Sequence, residues 1–116
     1  MGTMRIIESK AIPLYEDPRW EMKADLTGKR YTFGVSYNAR QEAWTMSIAD
    51  TNGELLISGL RLVPGIDMLK KFRASSPGLP PGELMLIDKE GRPGTAEVTR
   101  DNLTSRFMLV YSVRGE

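Results

Sequence analysis

Trp44-Thr45-Met46-Ser47-Ile48-Ala49-Asp50, then Thr51-Asn52-Gly53, then residues 55–63, is the stretch that decides the fold. Trp44, Met46 and Ile48 alternate with Thr45, Ser47 and Ala49, the two-residue period of a strand with one buried face. Asp50, Asn52 and Gly53 supply a tight turn, because Asn and Gly accept a positive φ. Leu55, Leu56 and Ile57 carry the chain back. The hairpin so formed anchors an all-β reading.

Upstream, Trp20, Met22, Ala24 and Leu26 alternate with Glu21, Lys23 and Asp25, and Tyr31, Phe33, Val35 and Tyr37 alternate with Thr32, Gly34 and Ser36. Thr27-Gly28-Lys29 and residues 38–42 are short connections, so three successive strands form a meander. Ser58-Gly59 interrupts the fourth, and a glycine inside a strand marks a bulge or bend that would curl the sheet toward a barrel. At the N-terminus, residues 5–14 read as an extended segment or edge strand, since Pro13 cannot donate to a ladder.

Downstream, Ile66, Leu69 and Phe72 recur at helical spacing, with Asp67 in the first turn and Lys70, Lys71 and Arg73 in the last. That pattern predicts a short helix over 66–73, one that depends on tertiary packing. Residues 74–82 form a Pro-rich loop, 84–87 a short buried strand, 88–94 a second loop. Residues 98–105 are ambiguous, and 107–113 read as a central strand covered on both faces. The expectation is one all-β domain over 1–116, a strongly bent antiparallel meander or small barrel of roughly six or seven strands. One short helix accompanies it, and residues 1–18 form an extended N-terminal arm.

Composition narrows the chemistry. The chain has 116 residues, 41% hydrophobic, 27% charged, with a net charge of +1. Bulk electrostatics therefore do not favour nucleic acid. Cysteine and histidine are both absent, which removes disulfides, thiol nucleophiles, the commonest general base and Cys/His metal sites. The sequence holds no apolar run long enough to span a membrane, and the N-terminal apolar run is too short for a signal peptide.

An ordered series of features runs from about residue 26 to residue 113. It comprises the Trp-led strand ending Ile48-Ala49-Asp50, the Asn52-Gly53 turn, and the apolar strand with Gly59. Leu62-Val63-Pro64-Gly65, Asp67-Met68-Leu69 and Leu84-Met85-Leu86-Ile87-Asp88 follow, then Asp101-Asn102-Leu103 before Phe107-Met108-Leu109-Val110-Tyr111. This series resembles the small baseplate proteins of contractile-tailed bacteriophages, the baseplate plug or hub-associated components. The resemblance implies a virion structural protein, made in the host cytoplasm and housed in the tail baseplate. It implies several copies, packed against tail-tube, hub and other baseplate proteins, with no enzymatic activity and no cofactor. The alternative reading is a β-barrel recognition module for a peptide or single-stranded nucleic acid. A carboxylate-dependent enzyme is a third.

No residue is read as catalytic, cofactor-binding or metal-binding. Trp20, Trp44, Tyr31, Phe33 and Tyr37 read as core rather than stacking platforms. Asp50, Asn52 and Glu54 read as turn chemistry, because the distal glutamate of a calcium loop is missing; Asp88 and Glu90 read likewise. The candidate interface residues are Ile6, Ile7 and Ile12 on the arm, the basic cluster Lys70, Lys71 and Arg73, and Leu79, Pro80 and Pro81 in the Pro-rich loop. A proline-stiffened loop loses little entropy when fixed against a partner.

Overall fold

The computed structural model describes residues 5–91 and 97–115, with the backbone alone at 5–7 and 115. Among these residues, β2 (Arg19–Leu26), β3 (Lys29–Asn38), β4 (Ala43–Ala49) and β5 (Leu55–Arg61) form a four-stranded antiparallel sheet in chain order. The expected meander is this sheet. A second, three-stranded antiparallel sheet has the order β1 (Arg5–Ile12), β7 (Phe107–Gly115), β6 (Glu83–Asp88). The inward faces of both contribute to one hydrophobic cluster, with Leu26, Phe33, Trp44 and Ile48 from the first and Leu84, Leu86, Leu109 and Tyr111 from the second. Each large apolar side chain buried there contributes about 1.5–3 kcal/mol relative to exposure.

The sheets do not close into a barrel. Gly59 has φ +68, and the β4–β5 register slips between Met46 and Ile48, so the anticipated bulge is present. Bending the edge of one sheet is not enough to close it, because β1 and β2 belong to different sheets. Pro13 and Pro18 lie between them and remove two ladder donors, which separates the strands rather than joining them as a hairpin. Residues 5–12 are the anticipated edge strand, paired with β7 from Arg5↔Gly115 to Ile12↔Leu109.

The hairpin turn is held by Asp50. Its Oδ1 accepts the N–H groups of Asn52 and Glu54, each at 2.9 Å. That spends the carboxylate on the backbone, as a turn requires. The expected helix over 66–73 shrinks to a 3-10 turn, Lys70–Phe72. Its first half is recruited by β6 instead: Gly65 N–H donates to Leu86 O at 3.1 Å and Met68 N–H to Leu84 O at 2.9 Å. The α-helical turn, α1 (Leu103–Arg106), lies in the stretch whose sequence is ambiguous. Strand β7 is central in its sheet but covered on one face only. Phe107, Leu109 and Tyr111 are buried, whereas Met108 is 39% exposed. The 88–94 loop begins with a turn at Asp88 and continues outside the described residues.

A Cβ at Gly82 would lie 2.5 Å from Ser112 O and 2.6 Å from the Tyr111 ring, so backbone must move. Gly82→Ala and Tyr111→Phe, the latter stripping the acceptor from the buried Gly82 N–H, should each lower urea stability by about 1–3 kcal/mol. Separately, burial, then the Tyr111 phenol and the Asp50 carboxylate, raise the Tyr31 phenol above its ordinary 10.0. A raised folded-state value means the stability is intact below about pH 10 and is lost as the pH climbs through it. Denaturation midpoints across the alkaline range should fall less steeply in Tyr31→Phe.

Candidate functional site

Residues 62–82 cross from β5 to β6 and form one wall of a large depression. Asp67 organises it. Its Oδ1 accepts the N–H groups of Leu69 at 3.2 Å and Leu84 at 3.1 Å, and its Oδ2 lies 2.8 Å from Arg73 Nη1. Arg73 Nη2 in turn donates to Gly82 O, which locks the Pro-rich loop to the 3-10 turn. The carboxylate is mostly buried, 13% exposed, so it needs these partners to offset desolvation. With residues 64–68 laid along it, β6 does not offer a free edge there.

Between this crossing segment and the ends of β6 and β7 lies a groove of about 1060 Å³. Met68, Pro81, Met85 and Val113 supply apolar lining, and Ile66, 53% exposed, adds to it. Lys70, Lys71, Arg73 and Arg114 bring cationic groups, Asp67 and Glu83 carboxylates. Arg114 Nη2 is 3.7 Å from Glu83 Oε2. Lys70 and Lys71 are exposed and, among the described residues, neither has a carboxylate within ion-pair distance. Lys71 Nζ sits 5.5 Å from the Phe72 ring centroid.

Of the candidate interface residues, Lys70, Lys71, Arg73 and Pro81 all line this one groove. Ile12, Leu79 and Pro80 are instead buried in the subunit, Ile12 at 3% and Leu79 at 7% exposure. The side chains of Ile6 and Ile7 lie outside the described residues. Sequence reading passed over Ile66, Met85, Val113 and Arg114. By helical spacing Ile66 shares a face with Leu69 and Phe72, and the loss of that helix leaves it 53% exposed. Met85 sits in an unbroken apolar run, whose two faces period alone does not separate.

The other features resolve as structure. Trp44 is 1% exposed, its Nε1–H donating to Thr99 O at 2.9 Å, with the Arg100 guanidinium 5.4 Å from its ring. Tyr31 and Phe33 are 3% and 1% exposed, which leaves their rings no face for a base. Asp88 pairs with Arg106, Oδ2 to Nη2 at 3.0 Å. Among the described residues no cluster of acidic side chains is suited to a metal ion. What the groove offers is surface: apolar lining and, in Lys70 and Lys71, two cations without a carboxylate in ion-pair distance among the described residues.

Residues 9–114 match the family described as Cyanophage baseplate Pam3 plug gp18. The chain belongs to this family of phage baseplate plugs. No curated protein matches it. The match covers all seven strands in whole or in part, so the two-sheet core and the groove both lie within the plug family's extent. The chain is thus a phage baseplate structural protein.

Asp67→Ala should cost about 3 kcal/mol in urea unfolding, because it leaves Arg73 and the Leu84 N–H without their shared partner. Amide exchange at Leu84 should accelerate in the same variant, and an unchanged rate there would argue against Asp67 as the organiser of the groove.

Proposed function

We propose that the plug is a non-enzymatic structural subunit of a contractile phage tail. In this reading it is made in the host cytoplasm and is present in several copies. It packs against tail-tube, hub and other baseplate proteins around the tail axis. Family membership over residues 9–114 supports the baseplate setting. The observation that carries the packing role is the outer face of the three-stranded sheet. Strand alternation places Met85, Ile87, Met108 and Val110 there, with Ile87 paired to Met108 and Met85 to Val110. Ile87 is 40% and Met108 39% exposed, and these two cross-strand pairs are uncharged, with Glu83 the next residue on that face of β6. An apolar sheet face left open on a small subunit is a surface built to be covered.

Binding energy comes from burying such surface, without any chemical step. The absence of histidine and cysteine accords with a role that needs no general base, thiol or ligand set. Quantitative mass spectrometry of purified virions, with density for the intact baseplate, tests the reading. The chain should appear in the particles and its density should lie in a sheathed tail's baseplate. Virions of the phage that encodes it, purified without it, would sink the proposal.

A further inference from the structure

The groove described above carries more positive charge than the chain as a whole. Four cationic side chains line it against two carboxylates, whereas the net charge of the entire protein is only +1. Both carboxylates are already engaged, Asp67 by Arg73 at 2.8 Å and Glu83 by Arg114 at 3.7 Å. Lys70 and Lys71 are left over. Beside them the lining is apolar and adaptable. Met85, in the lining, pairs across the sheet with Val110, which pairs with Ala11, so the groove continues into an apolar strip of the outer face. Methionine side chains suit a surface that must mould to a partner.

Together these features define an occupant. We propose that the groove receives an acidic segment of a neighbouring baseplate protein, with carboxylates on Lys70 and Lys71 and an apolar side chain against Met85 and Ile66. This rests on the packing role proposed above and adds the site and the partner's chemistry. The segment is held by side chains rather than as an added strand, because residues 64–68 already occupy the β6 edge. A nucleic-acid strand fits less well. Among the described residues no aromatic ring lines the groove for a base to stack on, and the Asp67 and Glu83 carboxylates would face its phosphates. Pairing at the rim steers the partner and sets its register, while the apolar contacts hold it.

Intact virions treated with a carbodiimide, which joins lysine amines to carboxylates in direct contact, test the proposal. Peptide mass spectrometry should recover Lys70 or Lys71 linked to an Asp or Glu of a different baseplate protein. In parallel, phage carrying K70E/K71E should incorporate the plug about tenfold less, while a K23E/K29E control on exposed lysines elsewhere stays within about twofold. A melting temperature for purified K70E/K71E close to wild type separates lost docking from lost folding. Particles that contain the plug, yet show these lysines linked only within the plug or incorporate both variants equally, overturn the groove assignment and leave the baseplate role standing. Wild-type particles without the plug overturn the baseplate role itself.

Discussion

The Tyr111 hydroxyl sits inside the protein with its ring fully buried, and the arrangement of both sheets depends on how that hydroxyl is satisfied. A carboxylate only accepts, so Thr27 Oγ1 donates to Glu8 Oε1 at 3.0 Å. Tyr111 then donates to Thr27 Oγ1 at 2.7 Å, and accepts the Gly82 N–H at 2.8 Å. The proton order is fixed along the whole relay. One chain of hydrogen bonds thus joins β1, the β2–β3 turn, β7 and the end of the Pro-rich loop. Each member is needed, because a buried polar group without its partner costs more than the same bond contributes when made. Lys10 Nζ adds a second tie across the same gap, donating to Asp25 O at 2.8 Å. The two sheets stay together as layers, without closing into a barrel, because side chains rather than ladder bonds cross between their β1 and β2 edges.

The groove is a consequence of the same economy. An exposed edge on β6 would invite pairing with any passing strand. Residues 64–68 cover it, and the Asp67 carboxylate supplies the acceptor that the Leu84 N–H would otherwise lack. Covering the edge uses the residues that would have begun a helix. It also leaves Ile66 in solvent and turns Lys70 and Lys71 toward the same depression. The device that protects the sheet therefore also shapes the groove. Protection of an edge and presentation of a face are compatible here because they use different groups, backbone for the first and side chains for the second.

Such an arrangement suits a small structural subunit. The inner face of each sheet supplies stability, so the outer face is free to be selected for fit to neighbours. Most large aromatic side chains serve packing: Trp20 and Tyr37, half-buried, pack against the buried Trp44 ring at 5.3–5.5 Å between centroids. The exposed lining of the groove and of the outer sheet face is instead methionine, isoleucine and lysine, whose flexible side chains can adapt to an abutting surface.

Strands β2 to β5, their antiparallel order and the Asp50 turn were legible in the sequence, because each depends on neighbours only a few residues away. Alternation sorted Trp44, Met46 and Ile48 from Thr45, Ser47 and Ala49, and short loops forced antiparallel pairing. The clustering of Lys70, Lys71, Arg73 and Pro81 was legible only as a list of residues, not as one place. Tertiary structure alone decided three things: that β1 pairs with β7, that residues 64–68 join a strand rather than a helix, and that Met85 and Met108 face outward. All three turn on contacts between segments distant in the chain. An amphipathic turn of marginal intrinsic stability takes whichever partner its backbone can reach, and an apolar run carries no mark of which face will be covered.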